Sequence, residues 1–178
     1  MDQGKVLQLK ITLTDAADKP VWREILVPDT VRYDQLHAII QVLFDWQNAH
    51  LHSFRPSTDD NVEYGIVMAD DDFGMVETKP EGEFAALPDL KKGPVTYTYD
   101  FGDDWRHVIE LEETLNYDKV VAAGHQQLPI SINGEGDAPA EDSRMADPAE
   151  LAAAGITGTA YDEKKINAQL MKLMSWWN

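Results

Sequence analysis

The sequence predicts a single α+β domain over residues 1–178, a largely antiparallel sheet packed against a central helix, with two helices at the C-terminal end. Three observations predict it. KVLQLKITL and VWREILV are apolar-alternating segments separated by a turn. YDQLHAIIQVLF carries an apolar stripe of helical period. The elements follow one another as β-β-α-β-β, then β-β-α-α, the order of a mixed domain with antiparallel neighbours.

In KVLQLKITL, Leu7, Leu9, Ile11 and Leu13 fall on one face, and Gln8, Lys10 and Thr12 on the other, as in a half-buried strand. AADKP reads as a turn, and VWREILV (21–27) as the returning strand. Leu36, Ile39, Ile40 and Leu43 then mark the helix, which begins between Thr30 and Asp34. Residues 49–56 and 62–68 read as two short strands, 69–83 as an acidic loop, and LPDLKKG (87–93) as one helical turn. The core of sheet and helix spans 5–116. Residues 118–146, rich in Gly, Pro, Asp and Ser, read as one long loop. Residues 147–178 hold two helices. Asp147, Pro148, Glu150 and Gly155 punctuate the first. Ile166, Leu170, Leu173 and Trp177 line the second, and MSWWN at its end offers an apolar anchor.

Between the segments VTYTY and WRHVIEL lies DFGDD. Core-facing alternation on both sides places Phe101 opposite Trp105, with a three-residue connection Gly102-Asp103-Asp104 and Asp100 across from Arg106. On that reading DFGDDW is a turn. The letters D-F-G occur here without the glycine-rich loop, strand lysine or catalytic loop of a kinase, which excludes that chemistry.

Composition limits function. The formal net charge is −17, and residues 59–83 hold nine acids against one base. Such a surface repels phosphate, so direct nucleic-acid binding is disfavoured. No apolar run approaches a membrane span, and the N-terminal residues lack a signal-peptide core, so a cytoplasmic home is expected and no membrane contact. The absence of cysteine removes disulfides, thiolate metal sites and cysteine nucleophiles. The common nucleotide, hydrolase and zinc-protease motifs are also missing.

These limits favour a non-enzymatic binding or accessory module with a protein or peptide partner and no cofactor. Trp46, His50, His52, Phe54, Asp100, Asp103, Asp104, Trp105 and His107 form its candidate surface. The alternative is a metal-dependent enzyme. His50 and His52 alternate onto one face, and with Asp103, Asp104 and His107 they offer a mixed nitrogen and oxygen ligand set for a divalent ion. The oligomeric state is not fixed by the sequence.

YTYDFGDDWRHVIELEE resembles the hallmark of the Ri-plasmid open-reading-frame-three-like family, also found as passengers in insertion sequences. LQLKITL with KPVWREILVP, DQLHAIIQVLFDWQNAHLHSF and LPDLKKG resemble further family blocks in the same order. The resemblance implies an α+β domain and an association with mobile elements, hence a third reading as a recombination-related accessory protein. Downstream, GEGDAPAEDS departs from the family pattern, with Ala138 where a cysteine is usual.

Overall fold

The computed structural model describes residues 4–15, 19–68 and 76–175. Strands β1 (Lys5–Leu13), β2 (Val21–Pro28), β3 (His52–Pro56), β4 (Val62–Gly65), β5 (Glu77–Pro80), β6 (Val95–Tyr99), β7 (Trp105–Asn116) and β8 (Ile130–Glu135) form one sheet. Its order is β5-β4-β3-β6-β7-β1-β2-β8. All neighbours are antiparallel except β4 and β5. The α+β expectation is met, and so is the β1–β2 hairpin. Part of its turn, residues 16–18, lies outside the described residues, as do residues 69–75 of the acidic 69–83 loop and the two C-terminal tryptophans.

Helix α1 (Tyr33–Leu43) begins after Arg32, whose backbone N–H donates to the Gln35 side chain. Its apolar stripe is buried, and Leu36, Ile39, Ile40 and Leu43 share one core with Leu7, Leu9, Ile11, Phe54, Tyr97 and Ile109. The alternating faces of β1, β3, β6 and β7 thus look onto this helix. Fully burying one such Leu, Ile or Phe stabilises by roughly 1.5–3 kcal/mol. At the C-terminal end, α4 (Pro148–Ala153) is capped by Asp147 and α5 (Glu163–Met174) by Asp162, each carboxylate accepting a backbone N–H of the first turn. Ile166 and Leu170 of α5 join the core. Asn167 lies against the edge strand β8. Its side-chain amide accepts from Ser131 N at 2.7 Å and donates to Ser131 O at 2.9 Å.

Two expectations are corrected. The 118–146 segment is not one loop. Helix α3 (Tyr117–Ala122) follows β7 directly, and β8 pairs with β2. Val120 of α3 packs with Val6 and Leu26 on the sheet face opposite α1. Likewise 77–83 is not loop but β5 followed by a 3-10 turn, Glu81–Glu83, and α2 is limited to Leu87–Leu90.

The DFGDDW register also differs. Tyr99, not Phe101, lies opposite Trp105, and Thr98, not Asp100, opposite Arg106. The connection is the five residues Asp100 to Asp104, not three. Asp100 turns out of the strand at φ 59°, and its Oδ1 accepts from Gly102 N at 3.1 Å and Asp103 N at 3.3 Å. Asp104 N closes the loop on Asp100 O at 2.6 Å. Local amides therefore win over continued alternation. Phe101 is 53% exposed.

Candidate functional site

The sheet is covered unevenly. At the β1–β2–β8 end, α1 and α5 lie on one face and α3 on the other. At the β3–β6–β7 end, the face opposite α1 forms an open groove of about 630 Å³, lined by Ser53, Arg55, Thr96, Thr98, Phe101 and Arg106 among others. Arg55 pairs with Glu63 at 3.1 Å and Arg106 with Asp104 at 3.0 Å, so both cations are already neutralised. Asp100 N donates to Leu51 O at 2.9 Å, which extends the β3–β6 ladder past its last paired residues. Alternation then puts Leu51, 44% exposed, on the same face as Ser53. Phe101, in the groove's lining, lies at the same end of the β3–β6 ladder as Leu51.

The candidate residues fall into three environments. Trp46, Phe54, Trp105 and His107 belong to the core. Trp46 stacks on Phe44 and Tyr99. His107 is fully buried, edge-on to Phe44 and Trp46, and its Nδ1–H donates to Tyr97 O at 3.2 Å. That bond fixes the tautomer and leaves Nε2 without a partner. Burial lowers its pKa to about 3.

His52 belongs to a second, buried polar layer. Its Nε2–H donates to Glu81 at 2.6 Å, and its ring stacks on His37 with centroids 3.4 Å apart. His37 Nε2–H donates to Asn48 Oδ1 at 2.8 Å, so its Nδ1 accepts from the Tyr97 hydroxyl at 2.7 Å. Gln41 Nε2 donates to the same hydroxyl at 3.1 Å, and Gln41 Oε1 accepts from Asn48 N at 2.7 Å. Burial, then the adjacent His52, lowers the His37 pKa to about 4. Tyr33, His37 and Gln41 recur at four-residue spacing on α1, a polar line that sequence could have flagged.

The third environment is the hairpin tip. Residues 138–144 cross it as a strap. Trp46 Nε1 donates to Pro139 O at 2.9 Å, the Tyr99 hydroxyl donates to Glu141, and Asp103 Oδ2 accepts from Arg144 N at 3.3 Å. The Arg144 guanidinium lies 4.2 Å from the Trp105 ring. Burial and the Glu141 bond raise the Tyr99 pKa. Beneath the strap, His50 Nε2 lies 2.7 Å from Asp142 Oδ1 and 3.6 Å from Asp100 Oδ2. His50, Asp100 and Asp142 are the one metal-capable group among the described residues. The grouping expected from sequence does not assemble. His52 goes to Glu81, His107 to the core, Asp103 to the strap and Asp104 to Arg106. Asp142 was not among the expected ligands, although it falls within GEGDAPAEDS, the downstream stretch that answers to the family pattern; its distance along the chain hid its approach to His50 and Asp100.

Residues 5–165 match the plasmid pRiA4b ORF-3-like proteins. The chain belongs to that family. Among curated proteins, the uncharacterized protein y4hQ of Sinorhizobium fredii (strain NBRC 101917 / NGR234) is 32% identical over 139 residues, which is 78% of this chain and 66% of that protein. This chain thus spans just under two thirds of that relative. Among solved structures, MM3350 of Methanosarcina mazei Go1, a protein of unknown function, superimposes with a TM-score of 0.70 at 25% identity. The match covers 90% of this chain and 96% of MM3350. This pRiA4b ORF-3-like chain thus shares its fold with MM3350, while the relatives' names assign no activity. No helix among the described residues is long and apolar enough to cross a membrane.

Proposed function

We propose that this pRiA4b ORF-3-like protein is a non-enzymatic binding module that seats an extended segment of a protein partner along the open face of β3, β6 and β7. The observation that carries the reading is the groove itself, with a Ser/Thr floor, paired charges along its sides and the exposed Phe101 in its lining. Phe101 is the natural anchor. It sits on a rigid, self-bonded tip, so little ordering entropy opposes its use. The partner segment carries an apolar side chain flanked by Lys or Arg, because a chain of net charge −17 attracts basic segments and repels acidic ones. Arg55 and Arg106 are each held by a carboxylate and offer little to a phosphate backbone.

Selection of random displayed peptides on the immobilised protein tests this. Enrichment of basic segments with one apolar anchor is expected, with binding weakened at least about tenfold by Phe101→Ser. Failure to enrich any peptide, or equal binding to the Phe101→Ser protein, overturns it.

A further inference from the structure

We propose that His50, Asp100 and Asp142 bind one divalent transition-metal cation beneath the strap. The three donor atoms lie within 4.8 Å of one another. Neighbouring donors around one ion sit about 3.0 Å apart in an octahedral site and about 3.4 Å apart in a tetrahedral one, for metal–ligand bonds near 2.1 Å. The observed 2.7 and 3.6 Å bracket those separations.

The orientation of His50 argues further. Its Nε2 is enclosed and makes no hydrogen bond of acceptable angle, although Asp142 Oδ1 is only 2.7 Å away. The two atoms stand side by side, as donors to a shared third atom do. Asp100 is oriented for the same task. Two backbone amides occupy its Oδ1 and fix the carboxylate, while Oδ2 faces His50.

Each ligand comes from a separately anchored segment. Ala49 N donates to the Tyr99 hydroxyl at 2.9 Å beside His50, the tip holds Asp100, and the strap bonds flank Asp142. One imidazole with two carboxylates suits zinc, manganese or iron(II) better than calcium or magnesium, which prefer all-oxygen shells. Three protein ligands leave positions for water, so the site is open.

A His50 ring protonated between two carboxylates would give similar distances without a metal, and the test separates the two. Chelator-stripped full-length protein is titrated with Zn²⁺, Mn²⁺ and Mg²⁺ by calorimetry at moderate salt, with thermal melts in parallel. One-to-one Zn²⁺ or Mn²⁺ binding and a raised Tm are expected. Asp142→Asn and His50→Gln should each weaken binding at least about tenfold. Asp142 is largely exposed, so its variant folds and decides the matter alone if the His50 variant does not. No binding at millimolar ion, or equal binding to wild type and Asp142→Asn, overturns the proposal, the latter result marking diffuse surface carboxylates. Peptide selection on the Asp142→Asn protein is an independent readout, so either proposal can fail without the other.

Discussion

Acidification should unfold this protein through its buried histidines. An unfolded histidine titrates near 6.5, whereas His107 and His37 in the fold titrate at about 3 and about 4. Well above pH 6.5 both states carry these two rings neutral, and they contribute no pH dependence there. As pH falls below 6.5, the unfolded chain takes up protons that the native chain refuses, so stability is lost down to the folded pKa values and is flat below them. At pH 5 the native rings are still neutral, and each histidine has cost about 2 kcal/mol relative to pH 7. A second effect opposes this. The net charge of −17 shrinks on the way to a pI near 4.4, which relieves self-repulsion. Substitution separates them. His107→Phe keeps an aromatic ring against Phe44 and Trp46 and removes one titration, with little change in overall charge. Urea unfolding followed by tryptophan fluorescence at pH 7, 6 and 5 gives both stabilities by linear extrapolation. Any fixed cost of the substitution appears at pH 7. The gap between the proteins should then move by about 2 kcal/mol in favour of the variant by pH 5. A gap that stays constant within about 0.5 kcal/mol would refute a neutral, buried His107.

Other substitutions follow from geometry. Asp100→Ala removes the acceptor of two amides and puts an alanine at φ 59°, so urea titration should show a loss of about 2–3 kcal/mol. Asp100→Asn, tolerant of that conformation and still an acceptor, should lose less than about 1 kcal/mol. Arg23 is buried, and its guanidinium donates to Leu43 O, Trp22 O and Glu135 O, tying α1 to β8. Arg23→Met strands those carbonyls and should cost about 2–4 kcal/mol, and a smaller loss by chemical denaturation would show that water reaches them. Phe54→Ala opens the core between Tyr33 and Tyr97 and should cost about 3–5 kcal/mol, whereas Phe101→Ser should leave the denaturation midpoint nearly unchanged.

Elements whose stability comes from one buried face were legible in the sequence. The alternation of β1 and the stripe of α1 state their own burial, and Asp147 and Asp162 mark helix starts by local chemistry. The tip was not legible in detail. Periodicity carries Phe101 inward with Tyr97 and Tyr99, but it does not report where the backbone leaves the strand. That point was set by the Asp100 carboxylate finding two amides. Strands β5 and β8 were missed because they lie at the sheet edges, where one neighbour and little core impose no strong pattern. Asp142 reaches His50 only through the strap, whose path depends on contacts from Trp46, Tyr99 and Asp103 that no local window contains. His52 read as ligand-like by its spacing from His50, and His107 by facing them across the core, yet each found an internal partner first.

The amide of Asn167 on Ser131 bears on how this chain behaves among its own copies. A sheet of this size is open by construction, and an unsatisfied outermost strand invites another molecule to continue it. On β8 one side chain from α5 supplies the donor and acceptor that a further strand would bring. Opposite, β5 is only four residues long and ends at Pro80, which has no hydrogen to give. Both borders thus discourage templated growth into fibrils, and α5 acts as a guard against aggregation as much as a contributor to the core.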